Sequence, residues 1–236
     1  MRPIGFSTGA LARSDFRRAL EMLIVRGMDV VELSALRLEE LDPLIAALPT
    51  LPLHHFSFVS VHVPSRFAPE QEAWVIARLR AFTDRNFPVV VHPDVVFTPA
   101  LWAPLGSALL LENMDKRKPV GRTLAEMRAV FSVLPDAGFC FDVGHSRQVD
   151  PSMTGAWELL HGLGSRLKEV HLSEVNTASH HDPVSLNAVA AFRKVARYIP
   201  QGIPIILESL IDAGQSDIET EIARAASALT FESAAA

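Results

Sequence analysis

Eight short apolar runs, each followed by a longer stretch of helical periodicity, limit what this chain can fold into. The runs read as strands at 3–8, 29–34, 57–63, 88–92, 108–113, 138–143, 167–173 and 203–208. Gly, Pro or Asp bounds them, as expected of strands buried on both faces. The intervening stretches predict helices at 14–26, 37–48, 69–85, 98–105, 122–134, 152–163, 185–198 and 216–229. Eightfold repetition of strand then helix argues for an α/β fold, the closed (β/α)8 or TIM barrel, over an open doubly wound sheet. No linker or low-complexity segment interrupts the 236 residues, so 1–236 reads as a single domain. Local signals agree with these boundaries. Thr123 with Glu126 has the spacing of a capping box. Asp150-Pro151 and Asp182-Pro183 suit a chain turning into a helix, Gly27 and Gly164 suit helix ends, and Pro135 and Pro200 stop helices. The closing FESAAA reads as frayed.

Six of the eight runs end in a metal-ligand or acid/base side chain: His62 in VSVHVP, His92 in VVVHPD, Glu112 in LLLENM, Asp142 in CFDVGH, His171 in EVHLSE and Glu208 in IILES. Residues two apart on a strand share a face, so Val90 points with His92, Leu110 with Glu112 and Cys140 with Asp142. If those faces are inward, the last residue of each strand sits at the barrel rim, where barrel enzymes keep their catalytic groups. The loops after the strands add His145, His180 and His181, and Glu32 is read as support behind the ligands. Burying so many imidazoles and acids without a cation would cost several kcal/mol, which favours metal binding. Glu112, Asp142, His171 and Glu208 form the set for one divalent ion. His62 and His92, bridged through Glu112, suit a second, and His145 with His181 a third and weaker one. Such donors serve Zn, Mn, Co and Fe alike, so one to three ions of any of these are expected.

Other polar and aromatic residues receive ordinary readings. His54, His55 and His161 are expected at the surface, Cys140 in the core, and Trp74, Trp102 and Trp157 in helix packing. The basic loop of Lys116, Arg117 and Lys118 reads as solvated, with a phosphate as its alternative partner. The balance of 22 basic against 27 acidic side chains, net −5, argues against a nucleic-acid or membrane partner. The N-terminal residues lack a signal-peptide layout, no run is long enough to span a bilayer, and one cysteine forms no internal disulfide. These features together predict a cytoplasmic protein. A homodimer through outer helices is possible for such a barrel.

At these residues the chain resembles the xylose-isomerase-like barrel superfamily, which includes sugar isomerases and epimerases and endonucleases of the endonuclease IV type (AP endonuclease family 2). LLLENMDKRKPVGRTLAEM resembles the segment with a bridging glutamate followed by Asn, implying Glu112 as the bridge. GFCFDVGHSRQVD resembles the segment that supplies an Asp and, three residues on, a His, here Asp142 and His145. LKEVHLSE and PIILES resemble the strands bearing His171 and Glu208, and VHVP and VHPD those of a two-histidine site, His62 and His92. There are departures. The nuclease pattern has Asp two residues before the loop histidine, where Ser179 precedes His181, and Val184-Ser185-Leu186 replaces a Gly-rich stretch.

The resemblance implies a divalent-metal-dependent isomerase or epimerase of a small polyhydroxylated or sugar-phosphate substrate, working through a metal-stabilised enediolate. Glu112 and Glu208 would be both ligands and acid/base groups, and His145 would contact a substrate oxygen. The alternative is a two- or three-metal phosphoester hydrolase, favoured by the His62/His92 pair. A metal-dependent lyase, or a metal-binding protein without turnover, completes the range.

Overall fold

In a computed structural model of the chain, residues 2–211 and 218–230 are described. Eight parallel strands close into a barrel. The first seven are β1 (Ile4–Ser7), β2 (Val30–Ser34), β3 (Phe58–His62), β4 (Val89–Val91), β5 (Leu109–Glu112), β6 (Gly138–Asp142) and β7 (Leu167–Leu172). A hairpin of β8 (Glu174–Val175) and β9 (His181–Asp182) then extends from β7 over the strand ends, and β10 (Ile205–Leu207) is the eighth barrel strand. β1 closes the ring by pairing with both β2 and β10. The sequence expectation of a (β/α)8 barrel therefore holds, and each barrel strand lies within its predicted run.

Helices cover the outside: α1 (Phe16–Val25), α2 (Leu38–Ala47), α3 (Glu72–Thr83), α4 (Pro99–Trp102), α5 (Leu124–Val133), α6 (Val143–Val149), α7 (Thr154–Leu163), α8 (Leu186–Ala196) and α9 (Ile218–Ala228). Asp15, Thr123 and Ser185 accept the backbone N–H three residues on, capping α1, α5 and α8. The strand faces toward the helices carry the main core, with Val31, Val61, Val91, Leu111, Phe141, Leu172 and Leu207 all buried. At roughly 25 cal/mol per Å2, burying each such side chain contributes about 1.5–3 kcal/mol.

Several local expectations change. The helix expected at 98–105 is α-helical only over α4. The chain then continues as a 3-10 segment, Ala103–Ala108, broken at Gly106, whose φ of 54° lies in the left-handed region. Glu126 does not complete a capping box, since its carboxylate takes the Arg122 N–H (2.7 Å). Gly27 ends α1 in the left-handed conformation (φ 65°), whereas Gly164 stays right-handed (φ −57°) and leads into a 3-10 turn, Gly164–Arg166. α6 stands where a loop was expected, because the Asp142 side chain caps it from the end of β6. The start of the helix expected at 216–229 and the FESAAA tail lie outside the described residues.

Side chains facing the barrel axis are of two kinds. Val90, Leu110 and Cys140 form a small apolar cluster under the β4–β6 side. Fully buried Glu32, Ser60, Glu169 and His171 come from β2, β3 and β7. The interior is thus apolar on one side and charged on the other. No described helix is long and apolar enough to cross a membrane.

Candidate metal centre

The strand ends converge. Register places Asp142 opposite His171 and Glu112 opposite Cys140, so β5, β6 and β7 deliver their terminal side chains to one basin. Glu112, at its centre, is 1% exposed and faces four imidazoles. Its Oε2 lies 3.3 Å from His62 Nε2 and 3.2 Å from His92 Nε2, and its Oε1 lies 3.2 Å from His145 Nδ1 and 3.6 Å from His171 Nδ1. His171 Nδ1 is also 3.4 Å from Glu208 Oε1, and His181 Nδ1 is 3.4 Å from Glu208 Oε2.

Backbone carbonyls select the tautomers. His62 Nδ1 lies 2.8 Å from the Val63 carbonyl, so it carries the proton. Nε2 of the neutral ring then presents a lone pair to Glu112 Oε2, and two acceptors face each other at 3.3 Å. A proton or a cation between them resolves the conflict. His145 Nδ1 likewise donates to the Asn113 carbonyl over 3.0 Å, leaving Nε2 free. Around one tetrahedral ion with bonds near 2.1 Å, neighbouring ligand atoms stand roughly 3.4 Å apart, which matches His171 Nδ1 against Glu112 Oε1 (3.6 Å) and Glu208 Oε1 (3.4 Å).

Side-chain groupings follow the same lines. Ligand atoms of Glu112, Asp142, His171 and Glu208 lie within 4.8 Å of one another, as do those of His62, His92 and Glu112, and of Asp142, His145 and His181. Asp142 Oδ2, His92 Nδ1, His171 Nδ1 and Glu208 Oε2 are buried and without a hydrogen-bond partner among the described residues. Asp142, His171 and Glu208 belong to one such grouping, and their unpartnered buried atoms fit a divalent cation, whereas His92 Nδ1 is the ring nitrogen not facing Glu112. All eight residues singled out as ligands from the sequence are therefore brought together. His180, at the hairpin tip, is exposed and lines the cleft instead.

Neighbouring polar groups position the acids. Asn113 Nδ2 donates to the Asp142 carbonyl (2.8 Å), and Asn113 Oδ1 accepts the Asp142 N–H (2.9 Å). Asp142 Oδ1 accepts the His145 N–H (2.6 Å) at the head of α6. Gly144 permits this close approach, because a Cβ there would stand 2.4 Å from the Ser173 carbonyl oxygen. Ser173 Oγ in turn lies 2.8 Å from His181 Nδ1. Ser179, at the position of the pattern's Asp, donates instead to Asp115 Oδ1 (2.9 Å) and ties the hairpin to the loop after β5.

The electrostatics separate the two glutamates. Burial alone would raise Glu112, yet its imidazole neighbours hold its carboxyl well below the ordinary value. Burial, reinforced by Glu112 and Asp142, pushes Glu208 up to about 8. Burial also opposes charge on His62 and His145, but the carboxylates win and raise them to about 9 and about 10. For His62 those are Glu32, Glu112 and Glu208. For His145 they are Asp142, Glu112 and Glu208.

Above the basin opens a cleft of about 380 Å3. His62, His92, Glu112, His145, His181 and Glu208 form part of its lining, and Arg66, Arg117, Lys118, Leu36 and Leu210 also line it. Of the basic loop, Lys118 pairs with Asp94 (2.8 Å) and Arg117 reaches Asp115 (3.5 Å) and the Ser179 carbonyl (3.3 Å). The tryptophans stand apart from the cleft. Trp102 is buried with Nε1 donating to Glu72, Trp74 lies under the Arg78 guanidinium, and Trp157 stacks on His161. His54, His55 and His161 are exposed, as expected.

No family model matches the chain, and no curated protein matches it. Among solved structures it is similar to endonuclease IV from Thermus thermophilus, at 17% identity and TM-score 0.61 over 96% of this chain and 97% of that one. It is also similar to a protein assigned as a sugar phosphate isomerase/epimerase from Anabaena variabilis, at 15% identity and TM-score 0.56 over 98% and 89%. At these identities the likeness speaks for the fold. The eight-stranded closure agrees with it: the chain has the (β/α)8 barrel fold of these structures.

Proposed function

We propose that this protein is a metal-dependent isomerase or epimerase of a small polyhydroxylated, sugar-like substrate, in which Glu208 moves the proton. The contrast between two carboxylates carries this reading. Glu112 is 1% exposed and ringed by imidazoles, whereas Glu208 is 12% exposed at the cleft, with Oε2 free of hydrogen bonds. Glu112, Asp142, His171 and Glu208 would hold the ion. When bound, the ion supplies Lewis-acid stabilisation of charge developing on substrate oxygens.

The chain's own groups divide the remaining work. Glu208, the more exposed of the two carboxylates, both takes and returns a proton at a carbon beside a substrate oxygen through its unpartnered Oε2. Returning it to the neighbouring carbon, as the hydroxyl proton passes between the two substrate oxygens, isomerises the substrate; epimerisation needs a second proton donor, other than Glu208, on the opposite face of the same carbon. Glu112 stays ionised and acts as a fixed anchor, so two carboxylates in one basin serve different roles. His145, fixed through Nδ1 by the Asn113 carbonyl, offers Nε2 to a substrate oxygen. The cleft's size and the chain's net charge of −5 suit a small molecule better than a duplex.

The test is incubation with a panel of aldoses, ketoses and polyols in deuterated water. Deuterium incorporation at carbon, lost in Glu208→Gln, supports the reading, and absence of exchange across the panel removes it. A second reading, phosphoester hydrolysis, is favoured by one observation: Glu112 Oε2 stands between His62 and His92 in a bridging position. Two ions per chain, with nitrophenol release from a nitrophenyl phosphodiester that disappears in Glu112→Gln, would select it.

A further inference from the structure

Beneath the metal centre, on the charged side of the interior, lies a carboxylate pair that the proposed chemistry does not use. Glu32 on β2 and Glu169 on β7 are both fully buried. Both face the imidazole nitrogen of His171 that points away from Glu112. His171 Nε2 lies 3.2 Å from Glu32 Oε2 and 3.4 Å from Glu169 Oε1. Ser60 Oγ donates to Glu169 Oε1 over 2.8 Å, from β3 to β7 across the barrel. Neither oxygen of Glu32, nor His171 Nε2, has a hydrogen-bond partner among the described residues, so the 3.2 Å contact is an ion-pair approach between two groups that each lack a hydrogen bond.

Two enclosed acids need a reason to persist. No lysine or arginine is buried among the described residues, so an ordinary buried salt bridge does not explain them. The positively polarised group in reach of both is the N–H of His171, whose Nδ1 faces Glu112 and Glu208 on the other side. A ring engaged at one nitrogen by a cation must present N–H at the other, and a carboxylate receiving that N–H fixes both tautomer and orientation.

We infer that Glu32 and Glu169 form a seat for His171, with Glu32 as the principal positioning residue, receiving its Nε2–H so that Nδ1 is held toward the metal. Ser60 keeps Glu169 in place, and Glu32 is left free to take the imidazole proton. The preference for Glu32 follows from its shorter contact and from Glu169 already receiving the serine. This inference rests on the metal reading of the basin above it.

The experiment is cobalt(II) titration of the full chain, followed by visible absorption, with circular dichroism checking the fold. The variants are Glu32→Leu, Glu32→Gln, His171→Ala and the Glu32→Leu/His171→Ala double. Glu32→Leu is expected to weaken cobalt binding about 10–100-fold and to shift the ligand-field bands. Glu32→Gln retains an acceptor oxygen and should fall between Glu32→Leu and wild type. In the His171→Ala background Glu32→Leu should add no further loss, because its effect passes through the imidazole.

Wild-type affinity and spectrum in Glu32→Leu, or losses that add to those of His171→Ala, overturn the seat. An extra tight cobalt equivalent that vanishes in Glu32→Leu, with the first spectrum intact, overturns it in favour of a second buried ion. If Glu32→Leu fails to fold, Glu32→Gln decides, and an unaltered spectrum there rejects the inference. Failure of wild type to take up cobalt would instead sink the metal reading itself, and this inference with it.

Discussion

Asn113 clasps the backbone of Asp142, with Nδ2 on the Asp142 carbonyl and Oδ1 on the Asp142 N–H. The amide thereby locks the end of β6 to the end of β5. Asn113→Ala leaves the buried Asp142 N–H unpartnered, at about 1–3 kcal/mol, while the carbonyl keeps Ser146 Oγ (3.0 Å). Urea denaturation should show a loss of about 1–3 kcal/mol, with lower metal content in the surviving folded protein. A stability within about 0.5 kcal/mol of wild type, the spread of an ordinary surface change, would show that the clasp is dispensable.

Metal ligation predicts that Asp142→Asn and His171→Ala lower the metal content of purified protein, read by elemental analysis. Chelation should lower the wild-type Tm, since an ion bound only by the folded state stabilises by mass action, by about 2.7 kcal/mol at a hundredfold excess over Kd. Both variants should lose most of that chelator sensitivity. Full metal occupancy in both would contradict their assignment.

Proton coupling gives a pair of opposed trends. In the metal-free protein His62 is raised to about 9 and His145 to about 10, above their ordinary 6.5. Their contribution to stability is full below about pH 6.5 and is lost as pH rises through about 9 to 10. Metal-free stability should therefore fall across roughly pH 7–10. Metal affinity should rise over the same interval, by up to about tenfold per pH unit for each proton displaced. Denaturation and chelator-competition titrations at matched pH would check both, and parallel trends would refute the coupling.

A third anchor lies away from the centre. Glu72 Oε1 accepts from Phe97 N (2.7 Å), Thr98 N (2.9 Å) and Trp102 Nε1 (2.7 Å), pinning the loop after β4 to α3. Burial pushes its carboxyl up, but these donors prevail and hold it below 4.5. Glu72→Ala should lose about 2–4 kcal/mol at neutral pH. The difference from wild type should shrink as pH falls below 4.5 through the depressed folded-state value. A constant difference down to about pH 3 would mean that packing rather than charge is responsible.

The barrel and its converging side chains were legible because both depend on alternation: a His or Glu ending an inward strand face is visible in VVVH or LLLE without knowing where the strand lies. α6 was hidden because Gly144 reads as a breaker, and its helix exists only through the Asp142 cap and close packing on Ser173. The β8–β9 hairpin has two residues per strand, too few to show any period. Glu32 could be read as support, but what it supports depends on barrel closure, which brings β2 across the interior to His171 on β7. Glu72 gave no signal at all, since an acidic residue at a helix start is ordinary and its three donors come from the later loop before α4 and from Trp102 at the end of α4.

The Glu112 carboxylate faces four rings that arrive from β3, the end of β4, α6 and β7. Moving it by one methylene, as in Glu112→Asp, would disturb every one of those rings together, so selection has no gradual route through that position. Catalytic divergence, or a laboratory redesign, should instead run through the loops holding Leu36, Arg66 and Leu210, where one side chain changes alone and the keystone stays untouched.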